Sequence, residues 1–172
     1  MTTYTLPTEV TDDESRAVFE VYDAVFGDQP DYPAWRSGIW DRHVARTGFR
    51  VARAHEGDRL VAFGYGYTGE RGQWWTDQAA RVLEPAVAEE WLGRHFELVS
   101  IGVLERARGT GVGRTLLDRL TEGLPKERWV LMTTADADDP ARRLYARAGW
   151  EVIGPGLRDS QVVIGRRRAT DR

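Results

Sequence analysis

The stretch Arg106–Leu117 reads RARGTGVGRTLL. Glycines stand at alternate positions, Gly109, Gly111 and Gly113, with Arg108 before them and Arg114 after. The apolar run Phe96–Leu104 in front reads as a strand, and Val112, Leu116, Leu117 and Leu120 behind form a helical stripe. A chain that leaves a strand and enters a helix presents unpaired N–H groups at the positive end of the helix dipole. Glycines let that backbone turn, and let a ligand approach it, without Cβ clashes. The stretch therefore predicts an anion nest able to hold a diphosphate through main-chain donors, with Arg108 and Arg114 adding charge. A tight turn with close helix–strand contact is the competing reading, and spacing alone leaves both open.

Two familiar phosphate cradles fail on spacing. The dinucleotide pattern G-x-G-x-x-G would need its third glycine at Arg114 or Leu116. A Walker loop would need glycine at Arg108 and lysine at Arg114. A literal G-x-G-x-x-G does occur at Gly64, Gly66 and Gly69, but it lies within and after a strand. Gly72 and Trp74-Trp75 follow it in place of a helix, so a bent or bulged strand accounts for it.

The global numbers narrow the class. With 172 residues, a single domain spanning 1–172 with a substantial core is expected. Hydrophobic residues at 41% and charged residues at 30% describe an ordinary soluble globular chain. A net charge of −3 gives no push toward nucleic acid or an anionic membrane. The absence of cysteine removes disulfides, thiolate metal sites and a Cys nucleophile. MTTYTLPTEVTDDE at the start is polar and acidic, unlike a signal peptide, and no apolar run suffices to span a bilayer. A cytoplasmic protein without a metal is the expectation. The closing GRRRATDR reads as a short basic, solvated tail.

Along the chain the pattern predicts a short extended Thr3–Leu6 and a helix over Asp12–Phe26 with Thr11 and Asp12 as cap candidates. A second helix follows at Ala34–Arg46. Strands at Phe49–Ala54 and Leu60–Tyr67 are joined by a hairpin at Gly57-Asp58. Residues 69–94 are less regular, with a helix around Pro85–Leu92. Beyond the glycine stretch come a strand at Trp129–Thr133, a helix at Pro140–Ala148, and strands at Trp150–Ile153 and Val162–Ile164. The order predicts an α+β fold, helices packed on a mainly antiparallel sheet with one strand–loop–helix unit.

RGTGVGRTLL resembles the acetyl-CoA motif of the GCN5-related N-acetyltransferase (GNAT) superfamily, a glutamine or arginine followed by x-x-G-x-G/A. Arg108, Gly111 and Gly113 fill those places. FELVSIGVLERA looks like the family's strand before the loop. DDPARRLYARAGWEVIG is similar to its second motif, N-x-x-A-x-x-L-Y-x-x-x-G-F, through Ala141, Leu144, Tyr145, Gly149 and Trp150. Asp138 stands where the family usually has Asn, a departure. The resemblance runs from about Glu97 to Gly154. It implies a mixed, mostly antiparallel sheet of six to seven strands flanked by about four helices, with a V-shaped splay at the acyl-CoA site.

The resemblance also implies a site. The diphosphate of acetyl-CoA, or of another acyl-CoA, would sit on the amides of Gly109, Thr110, Gly111, Val112, Gly113 and Arg114 beside Arg108. Backbone groups near Ile101 and Val103 would pair with the pantetheine arm, and Asp138 takes the place of a cofactor-binding Asn. An ionised Asp only accepts hydrogen bonds, and DADDP fits plain capping as well, with Asp139 as N-cap and Pro140 first in the helix. Arg106, Arg142 and Arg143 are further candidates for the nucleotide phosphates. Tyr145 is the expected general acid for the departing thiolate, or otherwise a core tyrosine. Glu97 is the expected general base, or otherwise a carboxylate frayed into solvent; His95 and Asp77 are alternatives.

The implied reaction is acetyl transfer to an amine by direct transfer in a ternary complex, with a small-molecule amine as partner and a homodimer as the oligomer it leaves room for. A protein or peptide acceptor and a non-catalytic acyl-CoA sensor remain open. Tyr65, Tyr67, Trp74 and Trp75, with Glu70 and Asp77, form an aromatic and acidic segment that suits a cationic or amphipathic amine, or packs as a large loop. Tyr32, Trp35 and Trp40 are further lining candidates.

Overall fold

The computed structural model describes residues 1–168; Ala169–Arg172, the end of the expected basic tail, lie outside them. The strands are β1 (Thr2–Thr5), β2 (Arg50–Glu56), β3 (Arg59–Gly69), β4 (His95–Val103), β5 (Arg128–Thr134), β6 (Glu151–Pro155) and β7 (Gln161–Arg167). The helices are α1 (Asp12–Phe26), α2 (Tyr32–Trp35), α3 (Asp41–Val44), α4 (Trp74–Val82), α5 (Pro85–Trp91), α6 (Val112–Thr121) and α7 (Pro140–Arg147). A π-helical turn, Arg36–Trp40, joins α2 to α3, so the described residues carry six separate helices rather than about four. The strands form one seven-stranded sheet in the order β1-β2-β3-β4-β5-β7-β6. Pairs β1/β2, β2/β3, β5/β7 and β6/β7 are antiparallel, and β4/β5 is parallel. The described residues cluster into two compact units, residues 1–67 with 99–123, and residues 68–98 with those from 124 onward.

In the first unit, α1 begins at a complete capping box. Thr11 Oγ1 accepts from the Glu14 amide, and the Glu14 carboxylate accepts from the Thr11 amide at 2.8 Å. Its apolar face, Val18, Val21 and Tyr22, packs on Trp35, Trp40, Val51, Phe63 and Tyr65. The second helix starts two residues before the sequence pattern predicts, because Asp31 caps it, Oδ1 accepting from the Ala34 amide at 2.8 Å. The π turn has a packing reason. Residues five apart diverge by about 140° on an α-helix, whereas the wider turn brings Trp35 and Trp40 into a stack 4.9 Å apart, both fully buried. These two tryptophans are core side chains and line no cleft.

β3 is buried from Val61 to Gly69, as a central strand must be. The Leu104 amide donates to the Val61 carbonyl at 2.9 Å, and a Cβ added at Gly64 would meet Ile101 at 3.6 Å. Three residues forward on β3 thus match three back on β4, an antiparallel run. Gly64, Gly66 and Gly69 of the literal G-x-G-x-x-G all lie within β3, while a helix does follow at Trp74–Val82, against the sequence reading.

In the second unit, the parallel β4/β5 ladder comprises only Phe96↔Trp129 and Glu97↔Val130, while β5 stays paired with β7 through Thr134. Helix α4, in the stretch read as irregular, buries Thr76 and Ala79. Its inward face is made of small residues, so it lacks the large apolar stripe that marks a helix in sequence. The second unit's core gathers Ala79, Leu83, Ala88, Trp91, Leu92, Val130 and Val163.

GRRRATDR corrects one expectation. Gly165–Arg167 continue β7, with Gly165 opposite Val130. The guanidiniums of Arg166 and Arg167 lie over the Trp129 and Trp91 rings, each at 4.9 Å. Cation–π contact and the β5 pairing hold as strand a segment whose charge suggests a solvated tail.

Gly69 offers a direct check on strand packing. A Cβ there would stand 2.2 Å from the His95 ring, a buried side chain with no room to yield. Gly69→Ala should lower unfolding stability by about 1–3 kcal/mol in urea denaturation, the usual cost of overpacking. Gly57→Ala, whose Cβ meets nothing but whose φ is +60°, should cost only about 1–2 kcal/mol of left-handed strain.

A glycine-capped helix start as candidate acyl-CoA site

β4 ends at Val103 and a 3-10 turn, Glu105–Ala107, redirects the chain. Two bonds fix the corner: Arg108 Nε donates to the Val103 carbonyl at 3.1 Å, and Thr110 Oγ1 donates to the Ala107 carbonyl at 2.7 Å. Gly109 (φ +74°) and Gly111 (φ +88°) then take left-handed conformations that other residues adopt only at a cost. Gly111 is the N-cap of α6 and has no side chain to satisfy the helix. The first intrahelical bond runs from the Thr115 amide to the Gly111 carbonyl at 3.0 Å. The amides of Val112 and Gly113 precede it, at helix positions whose N–H groups have no carbonyl four residues back within the helix.

The two readings of the glycines now separate. A Cβ at Gly109 or Gly111 would meet no atom within 4 Å, and both residues are exposed. Close helix–strand packing therefore does not require them. What remains is a left-handed backbone under open space, with amides at the positive end of a ten-residue helix. α6 itself is pinned by Leu116, Leu117 and Leu120, all within 1% of full burial. These residues fit a diphosphate, and in the same unit Ile101 and Val103 are half-buried on β4.

The arginines are more committed than charge counting suggests. Arg114 Nε lies 3.0 and 3.1 Å from the two Asp118 carboxylate oxygens. Arg106 stands 3.8 Å from Glu56, Arg142 donates to the Thr134 carbonyl at 2.9 Å, and Arg143 lies 4.0 Å from Asp138.

The second unit holds the two candidate catalytic side chains. Asp139 caps α7, its Oδ1 accepting from the Ala141 amide at 2.8 Å, and Pro140 opens the helix. This seats Tyr145 in the interior, 6% exposed, tilted against Trp150 at 5.9 Å. Burial, then the Asp139 charge, pushes its phenol above the ordinary tyrosine range, so it stays protonated. Glu97 is buried on β4 opposite Val130, not frayed into solvent. Asp138 is exposed, and its amide donates to Asp136 Oδ1 at 2.9 Å.

Both alternative bases fit that role poorly. Asp77 lies in the first turn of α4 and accepts from the Gly72 amide at 3.0 Å. His95 Nδ1 accepts from the Gly93 amide at 3.1 Å, so the ring proton sits on Nε2, which is buried without a hydrogen-bond partner. Burial, then Lys126, Arg71 and Arg128, lowers its pKa to about 3. Each ring nitrogen is thus occupied, one by an accepted bond and one by its proton.

The aromatic candidates divide. Trp74 is 68% exposed at the start of α4. Trp75 is half-buried, packs on the second unit's core, and lies 6.1 Å from the His95 ring. Tyr65 is buried in the first unit's core against Trp40, Phe49 and Phe63. Tyr67 lies under the His43 ring and the Arg46 guanidinium, so the charge beside it is positive. His43 carries no motif in the sequence; only Arg42 and Arg46 flanking a helical His hint at it.

Fold and site define an acyl-CoA-dependent acetyltransferase. The model of the Acetyltransferase (GNAT) family matches residues 15–150, and the chain belongs to this family. It is 29% identical over 162 residues to a GCN5-like protein acetyltransferase of Mycobacterium tuberculosis, covering 75% of this chain and 79% of that one. Among solved structures, an aminoglycoside 6′-acetyltransferase superposes at TM-score 0.68 with 13% identity, covering 99% of each chain. The ribosomal-protein-S18-alanine N-acetyltransferase of Escherichia coli gives 0.65 with 14% identity, covering 100% of this chain and 97% of that one. No helix among the described residues is long and apolar enough to cross a membrane.

Two histidines, buried His95 and half-buried His43, set an acid limit. His95 and His43 have folded pKa values of about 3 and about 4, against an ordinary value near 6.5. Between those values the unfolded chain binds more protons, so stability is complete above pH 6.5 and falls as pH drops toward 4. His95→Asn should flatten the slope over that window by up to about 1.4 kcal/mol per pH unit, read by urea denaturation at stepped pH.

Proposed function

We propose that the chain is a single N-acetyltransferase domain that transfers acetyl from acetyl-CoA to a primary amine of a small molecule, directly, in a ternary complex. The family match supports the single-domain reading, because it runs through segments of both compact units. The observation that carries the reaction is the glycine cap of α6, which closes no amide with a side chain and whose Gly109 and Gly111 face open space. The absence of cysteine supports direct transfer over a Cys acyl-enzyme.

In this reading the amides of Gly109–Arg114 hold the diphosphate, with Arg108 fixing the corner through Val103. Backbone groups at Ile101 and Val103 bind the pantetheine arm as an added strand would. Asp138 flanks the nucleotide side without donating to it. The bound thioester supplies an activated acyl group. Glu97 takes the proton of the incoming amine, directly or through water. A backbone N–H of β4 stabilises the oxyanion. Tyr145 faces the leaving sulfur. A thiol of ordinary pKa, about 8.5, is a stronger acid than a phenol raised above 10, so at equilibrium the proton stays on Tyr145. Its role is then a hydrogen bond to the thiolate, worth roughly 1.5–3 kcal/mol for a charged acceptor. Tyr67, Trp74 and Trp75 contact the acceptor, while Tyr65 supports Tyr67 from within the core.

A second reading, acetylation of a protein or peptide, is favoured by the curated relative, which is itself a protein acetyltransferase. Thiol release from acetyl-CoA across matched panels of small amines and peptides separates the two. Turnover of small amines at low KM supports the proposal, and turnover of peptides alone overturns it in favour of the second.

Two variants test the assigned roles. Gly111→Val places a β-branched residue at φ +88° in the open approach. Calorimetry should show acetyl-CoA affinity falling at least roughly tenfold, while stability drops by only about 1–2 kcal/mol of left-handed strain. Tyr145→Phe should lower kcat by roughly 10–100-fold, the factor its hydrogen bond implies, with acetyl-CoA affinity within about twofold of wild type.

A further inference from the structure

The segment from α3 to β2 carries three basic side chains, Arg42, His43 and Arg46, over the end of β3. His43 is half-buried, its ring 5.7 Å from Tyr65 and 5.2 Å from Tyr67. His43 Nδ1 stands 3.0 Å from the Tyr65 hydroxyl, and the Arg46 guanidinium lies 5.7 Å from the Tyr67 ring centre. Several arginines of this unit meet carboxylates: Arg36 with Asp12 and Asp41, Arg53 with Glu14, Arg106 with Glu56, and Arg114 with Asp118. Arg46 and Arg42 meet none among the described residues, and Arg42 donates instead to the Gly38 carbonyl. The core-facing side is thus aromatic and neutral, while the accessible side is cationic and uncompensated.

Burial and these two cations make a positive charge on His43 unfavourable, lowering its pKa to about 4 and keeping the ring neutral at neutral pH. His43 Nδ1 and the Tyr65 hydroxyl share one hydrogen bond whose direction the ring tautomer sets, and in the tautomer where Nδ1 accepts, the ring proton is on Nε2. Nε2–H and the Arg46 fork are then two donors on one rim, and a guanidinium matches a planar carboxylate in two bonds. The cationic surroundings disfavour a positively charged occupant in equal measure.

We propose that Arg46 and His43, seated on Tyr65 and Tyr67, form a carboxylate-binding subsite for the acceptor, so that the preferred substrate is an amine that also carries a carboxylate, as an amino acid does. The inference rests on the acetyltransferase reading for its acceptor. It reverses the expectation of a cationic acceptor drawn from Glu70 and Asp77.

The test pairs each amino acid with its decarboxylated amine, such as phenylalanine with 2-phenylethylamine, at saturating acetyl-CoA. The carboxylate-bearing member should show a KM at least roughly tenfold lower. Arg46→Ala should raise that KM alone and leave 2-phenylethylamine and the acetyl-CoA KM unchanged; Arg46→Glu should invert the preference. Equal KM values within pairs, or an equal loss for both members in Arg46→Ala, overturns the subsite while leaving the acetyltransferase reading intact. Turnover of no amine would overturn that reading instead, and a second measurement then decides the subsite. In NMR titrations the His43 pKa should rise by at least about one unit with N-acetylphenylalanine and stay fixed with N-acetyl-2-phenylethylamine. Identical His43 titrations with both compounds overturn the proposal.

Discussion

The left-handed backbone at Gly109 and Gly111 is the constraint on which the candidate site depends. It reverses the chain within a few residues of the end of β4 and starts α6 with no capping side chain. The contrast with α1, α2 and α7 is instructive. Thr11, Asp31 and Asp139 there accept bonds from their helices' first amides and so occupy the donors a ligand would need. At α6 the donors stay available because glycine cannot close them. The hydrophobic stripe Leu116, Leu117 and Leu120 holds the helix in place, so the amides are positioned before any ligand arrives.

Electrostatics then distributes the chemistry. Around α6 the helix dipole and Arg108 favour an anion, while Arg114 is tempered by Asp118 four residues on. Burial works in the other direction on neutral groups. It keeps Tyr145 a phenol and His95 and His43 unprotonated, so the interior offers hydrogen bonds in place of charges. Neutral donors strengthened by low dielectric suit a reaction whose charge develops only as the thioester opens.

Much of this is legible in the sequence, and the misses have physical causes. The Asp12–Phe26 helix, the Gly57-Asp58 hairpin and the strand–glycine–helix unit show because local chemistry alone specifies them: a capping box, a turn dipeptide, a periodic stripe. α4 escapes because its buried face is threonine and alanine. The π turn escapes because only the Trp35–Trp40 stack demands it, and that contact is tertiary. Arg166 and Arg167 read as a solvated tail because their aromatic partners, Trp129 and Trp91, lie far off in sequence. Among the site residues, motif positions carry the cofactor loop. The donors beside Tyr67 are the neutral His43 ring and the Arg46 guanidinium, some twenty residues upstream and without any pattern to mark them.

The central claim is that the α6 N-terminus receives the diphosphate of acetyl-CoA on its main-chain amides. Amide hydrogen exchange of the whole chain, with and without saturating acetyl-CoA, addresses those amides one by one. The account predicts strong slowing at Gly109 through Gly113, where a helix start that no side chain caps exchanges quickly. Unchanged exchange across these amides, with protection appearing elsewhere in the chain, would contradict it.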